Sequence, residues 1–136
     1  MRLFSTITLA TLLMACLGCG PAGMPTLTGT VTIDGKAAPA GISFQFSPLR
    51  TGGSCSYAQT DENGNFTAQF SMRQEGIQEG THRVQLMPGF FPPDMDSRDA
   101  ERMNPLKKVP KSYYEEVTQV TIEPGYNTLD IALDSK

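Results

Sequence analysis

One histidine, three cysteines and a few clusters of carboxylates are the residues with chemistry to offer. His82 could act as a general base or a metal ligand. A catalytic zinc site needs about three protein ligands, drawn mostly from histidines and carboxylates. A lone histidine with no His-x-x-Glu pair does not supply them. No nucleophile is spaced to work with it either, so neither a Ser/His/Asp nor a Cys/His arrangement is indicated. His82 shares its parity with Val84 and Leu86, which places it on the apolar side of a strand and favours a structural role. Asp61-Glu62-Asn63-Gly64 has the look of a calcium loop. It lacks the spaced acidic positions and the terminal glutamate such loops use. It reads as a turn, with Asp61 and Asn63 bonding nearby backbone and Gly64 taking a positive φ. Asp94, Asp96, Asp99 and Glu101 are interleaved with Arg98 and Arg102, the pattern of a solvated, self-paired face. The expectation is a chain with no catalytic residues, no metal and no cofactor.

The cysteines carry a different chemistry. Met1 and Arg2 make a short positive start, an apolar run covers Leu3 to Ala15, and small residues beside cysteines precede a Gly/Pro-rich break. That layout is a secretory signal, too short to span a bilayer. It resembles the lipobox of a bacterial lipoprotein, in which a cysteine thiol accepts a diacylglyceryl group. Leu13-Met14-Ala15-Cys16 fits a lipobox well. Cys16-Leu17-Gly18-Cys19 has the small residue before the cysteine but puts Cys16 where an aliphatic residue is usual. Both Cys16 and Cys19 are candidates for lipidation, and an ordinary signal peptide with incidental cysteines is the alternative. Residues 1–19 are thus the signal and lipobox, 20–25 a tether, and 26–136 the folded domain. The tether reaches roughly 20 Å when fully extended. The expected location is extracytoplasmic, lipid-anchored to a bacterial cell membrane. Cys55, inside the domain, is expected to be an unpaired thiol. A bridge to Cys19 would need Cα atoms within about 7 Å, which nothing in the sequence provides.

Charge limits the partners. Eleven basic and fourteen acidic residues leave a net charge of −3. Without a basic stripe, nucleic acid is not an expected partner. Phe90, Phe91, Tyr113 and Tyr114 form a candidate contact patch for an envelope protein or a polysaccharide. The alternative is that Phe90, Phe91 and Tyr113 pin a long loop onto the core. The absence of tryptophan weakens, without excluding, a sugar-stacking site.

Seven short runs alternate apolar and polar residues and so read as strands. They are marked by Leu27, Val31 and Ile33; by Ile42, Phe44 and Phe46; by the stretch Cys55 to Thr60; by Phe66, Ala68 and Phe70; by His82, Val84 and Leu86; by Thr118, Val120 and Ile122; and by Leu129, Ile131 and Leu133. Asp34-Gly35, Asp61 to Gly64 and Pro124-Gly125 supply turns. One apolar face per strand suits antiparallel sheets packed face to face, hence a seven-stranded antiparallel β-sandwich. Phe44, Phe46, Phe66, Val84, Val120 and Ile131 should point inward. The long segment 88–112 is the exception. A short helix is expected over Asp94 to Met103, after Pro92-Pro93 and before Asn104-Pro105, with Met95 and Met103 against the sandwich.

The run TGTVTIDGKAAPAGISFQFSP, the turn TDENGNF and the strand Gly80 to Leu86 resemble carboxypeptidase regulatory-like domains. The ending VPKSYYEEVTQVTIEPGYNTLDIAL is similar to that of many planctomycete-type lipoproteins carrying such a domain. The resemblance implies a transthyretin-like, Ig-like seven-stranded sandwich and is nearly silent on function. In the carboxypeptidases this module is an appendage to a separate zinc enzyme. His82 stands where the family has tyrosine, a departure that either costs the hydroxyl's hydrogen bond or hands it to an imidazole N–H. The resulting expectation is a non-enzymatic structural or interaction module of the cell envelope. A carbohydrate- or envelope-polymer-binding domain is the runner-up, and a hydrolase with an unrecognised site is the remote competitor.

Overall fold

The computed structural model describes residues 23–135, so Cys16 and Cys19 lie outside the described residues. Each of the seven alternating runs forms strand. They are β1 (Thr26–Ile33), β3 (Ile42–Pro48), β4 (Ser56–Gln59), the pair β5 (Asn65–Thr67) and β6 (Gln69–Ser71), β8 (Gly80–Phe90), β9 (Thr118–Ile122) and β10 (Tyr126–Leu133). Two-residue strands β2 (Lys36–Ala37) and β7 (Gln74–Glu75) complete the set. Asp34 and Gly35 both have positive φ, 52° and 82°, and turn β1 into β2. This is the two-residue turn that an Asp-Gly pair favours between strands, because it matches their twist.

The strands build a β-sandwich. The larger sheet has the order β7-β6-β4-β3-β8-β9, and the smaller has β10-β1-β2 with β5 also on β1. Every pairing is antiparallel except β1 with β10, which run parallel over eight residue pairs from Thr26↔Tyr126 to Ile33↔Leu133. Local alternation cannot encode that direction, because it follows from the chain crossing sheets at Pro124-Gly125. The run Phe66–Phe70 likewise changes sheets. Asn65 to Thr67 pair with β1, and Gln69 then pairs with Tyr57 of β4. Phe70 is therefore only half-buried, in contrast to Phe66 and Ala68. At Gly29 the two neighbours of β1 close in: a side chain there would meet the Leu129 carbonyl and the Phe66 ring.

The core lies between the sheets. Phe44, Phe46, Phe66, Val84 and Ile131 are buried as their parity requires. Val120 is only half-buried, because β9 is the edge of its sheet. Phe46 and Phe66 stack from opposite sheets with centroids 6.1 Å apart. The buried hydroxyls of Thr60 and Ser56 are bonded, as burial demands. Thr60 Oγ1 donates to Pro39 O at 2.7 Å and accepts from Ile42 N, and Ser56 Oγ donates to Gly76 O at 3.1 Å.

The long connection is ordered by its own caps. Helix α1 covers Ser97–Met103, starting later than Asp94 because Asp96 is its N-cap and accepts from the backbone N–H groups of Arg98 and Asp99. Such a cap satisfies two of the donors that a helix start leaves open. The helix meets the core through Ala100 and Met95 is partly buried beside it, whereas Met103 is exposed. Two 3-10 turns follow, Pro105–Lys108 and Lys111–Tyr114, and bury Leu106 and Val109 near them. The acidic cluster is paired outward, Asp99 with Arg102 at 2.8 Å and Glu101 with Lys107 at 3.0 Å.

Candidate binding face

The two residue types singled out for chemistry are both absorbed by the fold. His82 is fully buried, and its Nε2 is 2.8 Å from the Gln78 carbonyl. Burial depresses its pKa, opposed by that backbone hydrogen bond, so the ring is held neutral with Nε2–H donating. Nδ1 is buried without a partner. Asp61 Oδ1 accepts from the N–H groups of Asn63 and Asn65, which makes it a turn former. Among the described residues no group of three His, Cys, Asp or Glu is gathered as metal ligands.

The candidate aromatic patch is divided. Phe90 belongs to the core, so it offers no exposed contact. Tyr113 and Tyr114 are partly buried and pack against the core, and the Tyr113 hydroxyl accepts from Asp134 N. Phe91 alone is well exposed, at 66%. A kink in β8 separates the two phenylalanines. Ile42 pairs with Phe90 but Phe44 with Leu86, so the register shifts at Pro88-Gly89. Proline has no N–H for the ladder, and extra residues of this kind bend a strand and re-aim its side chains. Gly89, at φ 106°, lies directly under the Phe91 ring. Phe91 N donates to Gly41 O, and Phe91 O accepts from Gln59 Nε2 at 3.3 Å.

The ring is thereby placed at the outer face of the six-stranded sheet, beside residues that the sequence reading did not single out. Pairing aligns Gln69, Tyr57, Gln45 and Gln85 in one row across four strands. Ser43 and Gln59 form the next pair. A shallow depression opens between Tyr57, Gln59, Gln69, Met87 and Phe91. Tyr57 and Gln59 are exposed. The row continues as a hydrogen-bonded chain. Gln45 Nε2 donates to Ser47 Oγ at 3.0 Å, Ser47 Oγ donates to Gln85 Oε1 at 3.1 Å, and Gln85 Nε2 reaches Tyr114 O at 3.5 Å. Cys55 joins it, 3.5 Å from Gln45 Nε2, and carries no disulfide among the described residues. Charge stays at the margins, in Glu75 at one end of the row, the Arg83–Glu116 pair on the β8 side, and Asp61 and Glu62 beyond Gln59 and Phe91. The parity of Ser56 and Ala58, both buried, was the available signal that Tyr57 and Gln59 point out.

This arrangement can hold ligands through two rings, a thioether and fixed amides, without ionic contacts. No protein-family model matches the chain, and no curated protein is similar to it. The fold is similar to a solved structure of a DUF3823 family protein from Parabacteroides merdae, with a TM-score of 0.52 at 15% identity. The match covers 83% of this chain and 48% of that one, so the chain spans about half the length of the structure it resembles. At that identity the likeness is one of fold, a β-sandwich.

Proposed function

We propose that the protein is a lipid-anchored, extracytoplasmic binding module of the cell envelope that performs no catalysis. The outer face of the six-stranded sheet is its working surface. The carrying observation is the uncharged row of Gln69, Tyr57, Gln45 and Gln85, whose Gln69–Tyr57 end meets Phe91 around one depression. Aromatic rings offer stacking surface, and amides placed in a shallow site fix orientation by hydrogen bonds. Burial of the single histidine supports a role without catalysis, since His82 cannot touch a bound molecule. The Leu13–Cys19 segment supports the anchor, through Cys16 or Cys19. Membership of the carboxypeptidase regulatory-like domains, which the sequence resembles, is part of the same proposal.

The occupant best suited to this face is an envelope polysaccharide. A sugar ring has an apolar face for Tyr57 and Phe91 and hydroxyls for the glutamine amides, and a neutral polymer meets no charge in the centre of the row. Two measurements test the proposal. Intact mass of membrane-extracted protein should show a diacylglyceryl addition with cleavage before Cys16 or Cys19. A soluble product starting downstream of both cysteines ends the anchored reading. A glycan array should show neutral glycans retained. Silence across the array, with an envelope protein captured through the same face, would replace polysaccharide by protein as the partner.

A further inference from the structure

We infer that the end of the sandwich where the tether joins β1 docks on the lipid bilayer, with Leu49, Met72 and Tyr126 as apolar tips and Arg50 and Arg73 on lipid phosphates. The inference rests on the lipid-anchored reading above. Its observation is a separate one: three turns at one end of the molecule each expose a large apolar side chain. Leu49 is 48% exposed, Met72 102% and Tyr126 84%. Of the other exposed large hydrophobics among the described residues, Tyr57 and Phe91 belong to the candidate binding face, whose Tyr57–Gln69 edge Met72 adjoins, and Met103 to α1.

Hydrogen bonds fix these turns around the tether junction. Thr26 N donates to Gly125 O, and Thr26 pairs with Tyr126, so the turn before β10 abuts the first residue of β1. Ile77 N donates to Pro25 O, and Gly76 packs on the Met24 side chain. The β6–β7 hairpin, with Met72-Arg73 at its tip, leads from that point. Leu49 N donates to Thr81 O, and Arg50 and Ser54 both reach the Gln78 side chain, one residue past Ile77. The opposite end is closed by Asp34 N on Leu133 O and Val31 N on Gly64 O.

The tether argues for a bilayer as the occupant. Six residues separate Cys19 from Thr26 and nine separate Cys16 from it, so at full extension this end stays within roughly 20 Å or 30 Å of the lipid surface, according to which cysteine is acylated. Within that reach an exposed methionine and tyrosine can enter the interfacial region, where amphipathic rings and apolar tips partition favourably. Arg50 directly follows Leu49 and Arg73 directly follows Met72 in sequence, and neither arginine makes an ion pair among the described residues. Long cationic side chains bury their stems and keep their charge at headgroup level. Glu79 and Glu123 lie at the same end, so the attachment is by insertion of tips and not by bulk attraction to anionic lipid. Its consequence is orientation: the strands stand away from the bilayer and the glutamine face stays open to the side.

Fluorescence depth measurement tests this on the full, acylated chain in phosphatidylcholine vesicles carrying brominated acyl chains. The chain has no tryptophan, so Met72→Trp and, on the distant helix, Met103→Trp each introduce a single fluorophore. Quenching and blue shift should be severalfold greater for Met72→Trp than for Met103→Trp. Adding Leu49→Glu and Tyr126→Glu to Met72→Trp should lower its quenching, with thermal unfolding unchanged. Equal, weak quenching at both positions in a chain whose mass shows acylation overturns docking and leaves the anchor standing. A chain whose mass shows no acyl group removes the anchor and docking together.

Discussion

The two faces of the six-stranded sheet are made by the same strands and obey different demands. On β3, Phe44 and Phe46 enter the core, while Gln45 and Ser47 between them join the outer network. On β8, Val84 and Leu86 are buried, while Gln85 links Ser47 to Tyr114 O. The inner face is held by burial, where each lost methylene is felt. The outer face is held by satisfied hydrogen bonds between neutral groups, whose net contribution is small. Stability and the proposed recognition are thus separable residue by residue along one strand. That separation gives the comparison its tests.

The largest effect should come from the inner face. Phe66→Ala removes a ring stacked on Phe46 and should cost about 3–5 kcal/mol in chemical denaturation. A similar loss at Gln45 would mean that the two faces are not separable.

His82, the single histidine of the chain, lies on the inner face. Burial lowers its folded-state pKa below the usual 6.5. The unfolded chain therefore takes up a proton that the folded chain refuses. Stability is intact above about pH 6.5 and falls as pH drops below it, until the folded pKa is reached, by at most about 1.4 kcal/mol per pH unit. His82→Gln, which keeps a donor for the Gln78 carbonyl, should flatten that limb in urea unfolding between pH 7 and pH 5. An unchanged slope would place the acid sensitivity elsewhere. Asp34 acts in a lower window: its hydrogen bonds to the Ser135 side chain and N–H hold its pKa below 3.8, so its contribution is lost only as pH falls through the carboxylate range.

Smaller effects belong outside. Gln45→Ala should cost about 1 kcal/mol, the usual net worth of a neutral hydrogen bond. Tyr57→Ala, on an exposed side chain, should stay within about 0.5 kcal/mol of wild type.

Much of this was legible in the chain. Alternation located all seven runs, since a strand with one buried face must alternate. Strands β2 and β7 were not legible, because two exposed residues carry no periodic signal. The sheet change at Ala68 was hidden for the opposite reason: Phe66-Ala68-Phe70 alternates without a break, although only its first half lies under β1. Phe90 and Phe91 look equivalent in sequence and part company at the Pro88-Gly89 bulge. The candidate face is a property of register. Tyr57, Gln45 and Gln85 are far apart in sequence and become neighbours only once β3, β4 and β8 are paired.

On this reading Tyr57 and Phe91 of the outer face bind a neutral envelope polysaccharide and add nothing measurable to stability. Isothermal titration of purified neutral envelope polysaccharide into wild type, Tyr57→Ala and Phe91→Ala, with urea midpoints taken on the same samples, tests it most directly. The account expects saturable heat with wild type, its loss in both variants, and midpoints that do not move. Undiminished binding by both variants, or no binding by wild type, would contradict it.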